Sequence, residues 1–77
     1  MVTKEKALKV FAENLRMQRA RKKMSQEMLA EKANITHQHF YRIENEKSAP
    51  TLSVIVNIAL ALDVDINTLL PINELKK

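Results

Sequence analysis

The stretch SQEMLAEKANITHQHFYRIENEK, residues 25–47, holds two short amphipathic patterns on either side of Asn34. Ser25 is a good N-cap, because its side-chain oxygen can accept one of the backbone N–H groups that the first turn of a helix leaves free. Behind it Met28, Leu29 and Ala33 recur at spacing that faces them inward, and Glu27 sits near the positive end of the helix dipole. Asn34 ends the pattern, since asparagine tolerates the left-handed backbone used at helix C-termini. Thr36 caps a second pattern running to about Asn45, with Phe40 and Ile43 at i, i+3 for the core. Its outer face carries His37, Gln38, His39, Tyr41 and Arg42, an unusual density of flat, hydrogen-bonding side chains. The reading is two short helices, 26–33 and 37–45, joined by a tight turn.

The flanking sequence extends this helical pattern in both directions. Between Thr3 and Lys22 there is no Gly or Pro, and Leu8, Phe11, Ala12 and Leu15 recur at helical spacing, which predicts a helix over 4–22. Its basic C-terminal end opposes the negative end of the macrodipole. Pro50 and Thr51 mark a further start, and Leu52, Ile55, Ile58, Ala59 and Leu62 form an inward stripe over 52–62. The β-branched run Val54, Ile55, Val56 suggests a strand instead, but the apolar pattern persists too long and no partner strand exists elsewhere. Asp65 caps a last helix, 66–70, which Pro71 closes. Residues 71–77 form a short tail to which no element is assigned. The expectation is a single all-α domain of five helices, with its core between residues 8 and 70.

Composition narrows the function. A chain of 77 residues builds one modest core. Its 45% apolar and 4% aromatic content suits an aliphatic, helical interior, and its 29% charged content suits an ordered globular protein rather than a disordered one. There is no cysteine, so neither disulfides nor thiolate metal sites arise, and no signal-peptide-like apolar core stands near the N-terminus. A cytoplasmic location is the expectation. The segment from Ala49 to Leu62 is too short to cross a bilayer. His37 and His39 stand at i, i+2 on different helix faces, and nothing completes a ligand set, so no metal is expected. Without a Gly-rich phosphate loop or a nucleophile with an evident base, neither a cofactor nor an enzymatic activity is expected.

The net charge of +4 is unevenly spread. Arg16, Arg19, Arg21, Lys22 and Lys23 fall within eight residues, whereas Thr51 to Leu75 holds no Lys or Arg and three acids, Asp63, Asp65 and Glu74. One side of the molecule is basic, the other acidic and apolar. A polyanion such as DNA would feel such a field, and so would plain solvent around a charged helix end; the charge pattern alone leaves both readings open.

In sequence order these signals resemble the phage-repressor and Cro class of helix-turn-helix proteins, the Xre family. The likeness covers roughly Phe11 to Leu70. The second helix opens on Ser25, Gln26, Glu27, then Leu29 and Ala30; the turn reads Ala33, Asn34, Ile35, Thr36; the third helix ends on Ile43, Glu44, Asn45. Pro50 and Thr51, then Leu62, Asp63 and Val64, fit the fourth helix and the loop after it. The resemblance implies a compact, lambda-repressor-like five-helix fold. Two features depart from the family. Members commonly carry Gly where Lys23, Asn34 and Glu46 stand here, and a left-handed backbone at Lys23 or Glu46 would cost about 1 kcal/mol each. Met28 also replaces the acid that would complete a capping box with Ser25.

What the resemblance implies about function is more specific. The third helix, 36–45 with its cap, would lie in a DNA major groove, with His37, Gln38 and Arg42 toward the bases. Gln pairs with adenine and Arg with guanine in that groove, so a half-site containing both is expected. Gln26, matching the family's phosphate clamp, would hold the DNA backbone together with Thr36, Tyr41, Asn45 and Lys47. Tyr41 has packing against a neighbouring helix as its alternative, and His39 fits packing or solvent better than a phosphate. Arg19 and Glu44 match a structural ion pair between the first and third helices, with a phosphate contact as the alternative for Arg19, while Arg16, Arg21, Lys22 and Lys23 supply long-range attraction and helix-end charge rather than specific contacts. Specific binding by such domains uses two copies on a pseudo-palindrome with centres about 34 Å apart. Val56, Leu60, Ile66, Leu70, Ile72 and Leu75 offer an apolar dimer surface, or alternatively thicken the monomer's own core. The implied protein is a homodimeric, sequence-specific transcription regulator, repressor or controller, without a sensing domain and governed by its own concentration. The alternative, from another class, is a protein-interaction module such as an antitoxin that masks a toxin through the apolar C-terminal half.

Overall fold

Each of the first five helices begins on a side chain that accepts a backbone hydrogen bond. In the computed structural model, which describes residues 1–76, these are α1 (Lys4–Arg21), α2 (Gln26–Lys32), α3 (His37–Glu44), α4 (Leu52–Leu62) and α5 (Ile66–Leu69). The caps are Thr3, Ser25, Thr36, Thr51 and Asp65. Ser25 Oγ accepts from Met28 N at 3.1 Å and Thr36 Oγ1 from His39 N at 3.1 Å. Each such cap stabilises its helix by about 1 kcal/mol. A sixth helix, α6 (Ile72–Leu75), was not expected. It is one turn long and has no side-chain cap, because Pro71, read from sequence as a terminator, also occupies the N-cap position of the next turn.

The exits are as uniform as the starts. Lys23, Asn34, Glu46 and Asp63 all adopt left-handed backbone, with φ of 56°, 60°, 61° and 57°. At every one the same pair of bonds closes the helix end. Met24 N donates to Arg19 O and Lys23 N to Ala20 O, and the pattern repeats at Ile35/Asn34, Lys47/Glu46 and Val64/Asp63. These are Schellman motifs, in which a left-handed residue lets two orphan carbonyls find donors. The residue after three of these turns, Met24, Ile35 and Val64, is apolar and packs against the core. That contact holds those three turns in left-handed backbone without glycine, a conformation Asn34 adopts readily and Lys23 does not. The positions flagged in the family comparison of glycines therefore do take the strained geometry, and Asp63 joins them.

α2 packs on both α3 and α4, α1 on α3 and α5, and α4 on α5. Between them lies one core of Phe11, Leu15, Leu29, Ala30, Ala33, Phe40, Ile43, Ile58, Ala59, Leu62 and Leu69. Asn14 Nδ2 donates to Leu69 O at 3.2 Å, fastening α5 to α1. Two residues assigned inward by spacing are outside. Met28 is half exposed, and Ala30 takes the inward place beside Leu29. Leu52 is 76% exposed. At about 100° per residue it lies about 40° from exposed Val56 and about 120° from buried Ile58, at the edge of the strip the other helices cover. Leu70, proposed for a dimer surface, is half-buried against the core, so most of its apolar area is satisfied within the monomer.

Relief of the left-handed strain is measurable. Lys23→Gly and Glu46→Gly should each raise unfolding free energy by about 0.5–1 kcal/mol, net of glycine's greater unfolded-state entropy. Lys23→Val should lower it. Urea unfolding monitored by circular dichroism reads all three; a loss of stability in both glycine variants would contradict the strain argument.

Candidate nucleic-acid interface

Residues 25–47 place α2 and α3 on either side of the Asn34 turn, and the ends remote from that turn, the start of α2 and the end of α3, meet over one carboxylate. Glu44, 2% exposed, lies in the last turn of α3. Burial and the helix dipole both disfavour a negative charge there. Arg19 answers it from α1: Nε donates to Oε2 at 2.9 Å and Nη2 to Oε1 at 3.0 Å, a two-point pairing. The remaining arm of Arg19 donates to Met24 O at 3.0 Å, which ties the α1 exit turn to the same group. From α2, Gln26 Nε2 donates to Glu44 Oε1 at 2.7 Å. Arg16 Nη1 donates to the Glu44 carbonyl at 2.7 Å, capping the C-terminal end of α3.

Arg16 therefore has a specific structural contact and is more than a source of long-range attraction, contrary to the sequence assignment. Its position three residues before Arg19, on the same face of α1, was the available signal. The link from Gln26 to Glu44 was not legible in the same way, since residues 18 apart meet only through the tertiary fold.

On the outer side of this network Gln26, His37, Gln38 and Tyr41 line a shallow hollow. Thr36, His37, Gln38, Tyr41, Arg42, Asn45 and Lys47 are all exposed. Gln38 makes no side-chain hydrogen bond among those observed and is free to reach outward. Arg42 Nη2 donates to Lys47 O at 3.3 Å, and Asn45 Nδ2 to Tyr41 O at 2.8 Å, so both fold back on the end of α3. His37 is tied to α2, with Nε2 3.3 Å from Gln26 Oε1. His39 is half-buried, and its Nε2 is buried without a partner among the described residues, which makes its environment a packing one. Glu27 and Glu31 are exposed on α2, so the surface beside the hollow is not uniformly basic.

The residues that the sequence reading offers for a dimer surface divide. Val56, Leu60 and Ile66 are exposed at 41%, 73% and 42%, and Leu52 extends the first two into an i, i+4, i+8 stripe along α4. Ile72 and Leu75 lie with Met1 and Val2 around a second hollow, where the chain ends meet. Among the described residues no group of acidic or histidine side chains is placed to hold a metal ion. No single helix in that range is long and apolar enough to cross a membrane.

A helix-turn-helix family model matches residues 15–69. The chain belongs to the helix-turn-helix family, of the Xre type. Its members are DNA-binding transcription regulators, and the all-α framework described above is theirs. Two solved structures resemble this helix-turn-helix protein over most of its length. The restriction-modification controller protein C.AhdI from Aeromonas hydrophila is 31% identical with a TM-score of 0.77, the match covering 80% of this chain and 94% of that one. The hypothetical transcription factor NHTF from Neisseria is 32% identical with a TM-score of 0.81, covering 99% and 91%. No curated protein matches the sequence.

The network makes a sharp demand on stability. Arg19→Met leaves the Glu44 carboxylate buried without its cation and should lower unfolding free energy by about 3–5 kcal/mol. The pair Arg19→Met with Glu44→Leu should recover most of that loss, because the uncompensated charge is gone. Chemical denaturation of the two variants decides; a single-variant loss below about 1 kcal/mol would mean the pair is solvated.

Proposed function

We propose that this protein is a sequence-specific transcription regulator, a repressor or controller, that acts as a homodimer on a pseudo-palindromic operator with α3 in the major groove. The observation that carries the reading is the outward face of α3. Gln38 and Arg42 stand exposed on a helix whose inner side, Phe40, Ile43 and Glu44, is fully buried. Such a helix presents its reading groups on a rigid support, as groove recognition needs. Gln38 can pair with adenine and Arg42 with guanine once Arg42 releases the Lys47 carbonyl, an exposed bond worth little. Gln26, Thr36, Tyr41, Asn45 and Lys47 surround that face and would contact phosphates, which sets register without reading sequence.

Likeness to a restriction-modification controller protein supports a controller role. The exposed stripe of Leu52, Val56 and Leu60, with Ile66, supports self-association, because apolar groups at that spacing lose water contact when two copies meet.

Selection from random duplexes should return two inverted half-sites about one helical turn apart. Arg42→Ala should cost about 1–3 kcal/mol on the selected site and relax choice at one base pair. Retention of full preference would remove Arg42 from the readers. Leu60→Asp should sediment as a monomer and weaken operator binding by roughly 10²-fold, since avidity is lost. A variant that still sediments as a dimer would place the interface elsewhere. A parent protein with no sequence preference and no salt dependence would instead indicate the protein-interaction module.

A further inference from the structure

A cleft of about 160 Å³ opens between the start of α1, the loop that leads into α4, and the end of α5. Phe11, buried, forms its floor, and Leu8, Pro50, Ile55 and Leu70 form half-buried walls. The side chains around it present a single polar atom, Lys4 Nζ, from an exposed residue at the rim. The backbone N–H groups of Ile55 and Leu70 are already taken, by Thr51 O at 3.0 Å and Ile66 O at 2.9 Å. A water molecule needs several polar partners to settle in a cavity, so this lining favours an apolar guest. An apolar cavity of about 150 Å³ is large enough to hold a benzene ring.

The rim gives the guest a charge. Lys4 is the one charged residue in the lining, and Glu5 beside it in the first turn of α1 does not reach the cleft. α1 begins at Lys4, and α4 begins at Leu52, just after Pro50, so the positive ends of two helix dipoles lie beside the same opening.

We propose that this cleft binds a small apolar monocarboxylate about the size of benzoate. The hydrocarbon part packs on Phe11, Leu8, Ile55 and Leu70, and the carboxylate faces Lys4 Nζ. None of the residues proposed to contact DNA lines the cleft, so the acid and a duplex occupy different surfaces. A guest there touches α1 and Pro50 together and braces the loop between α3 and α4. The inference stands apart from the DNA-binding reading: it gives a chain of one small domain a site for a chemical signal.

Titration of the parent protein with sodium benzoate, followed by ¹H–¹³C methyl spectra, tests it without DNA. Saturable shifts should centre on the Leu8, Ile55 and Leu70 methyls, with a Kd of roughly 1 mM or below. Benzamide, which has the same shape without the charge, should bind roughly 2–5-fold more weakly, and Lys4→Gln should erase that difference. Ala7→Leu, which fills the cleft with a good helix former, should abolish the benzoate shifts while circular dichroism shows the helices intact. Shifts that do not saturate, equal binding of benzoate and benzamide by the parent protein, or unchanged benzoate binding in Ala7→Leu would overturn the proposal. So would conversion of a parent dimer to a monomer by Ala7→Leu, which would make the cleft a seat for a second copy of the chain.

Discussion

A buried carboxylate at the end of a helix is held only if other elements bring it partners, and Glu44 collects them from two. Its backbone carbonyl is capped by Arg16, its oxygens are paired by Arg19, and Gln26 adds a third side chain. Because the arginines stand on α1 and the glutamine on α2, the position of α3 relative to both is set by one group. An apolar core alone fixes helix orientation loosely, whereas a carboxylate demands particular atoms at particular distances. The face that α3 presents therefore depends on a residue that solvent barely touches.

The turns contribute rigidity of another kind. Four helices end in the same two-bond motif, all without glycine. Left-handed backbone is unfavourable for Lys23, Glu46 and Asp63, so local preference is not what selects it. The core-facing positions of Met24, Ile35 and Val64 supply the compensation, since each buries apolar surface only if the preceding residue turns left. The α3 exit lacks this support, because Lys47 follows Glu46, and there the Arg42 guanidinium reaches the Lys47 carbonyl instead. The side chain proposed above to read a base thus also closes this turn in the free protein.

Apolar residues in this chain serve two surfaces. Ile58, Ala59 and Leu62 complete the monomer core, while Leu52, Val56 and Leu60 run along the same helix facing out. One helix therefore separates folding from any association by a rotation about its axis. Leu70 and Leu75, by contrast, are partly covered within the chain.

The local signals in the sequence determined most of the architecture. Capping by Ser25, Thr36, Thr51 and Asp65, and the spacing of Phe11, Leu15, Phe40, Ile43, Ile58 and Leu62, depend on neighbours within one or two turns, so the helices and the family were legible to within a residue. α6 was not, since Pro71 carries the mark of a terminator and the turn has no capping side chain. The exposure of Met28 and Leu52 was equally hidden: spacing fixes which residues share a face, but only the placement of other helices decides how wide the covered strip is. The site divides in the same way. Gln38 and Arg42 could be placed outside from α3 alone, whereas the grip on Gln26 joins residues 18 apart to Glu44 and 11 apart to His37. Donor and acceptor meet there because α2 packs against both ends of α3, a relation that no linear spacing contains.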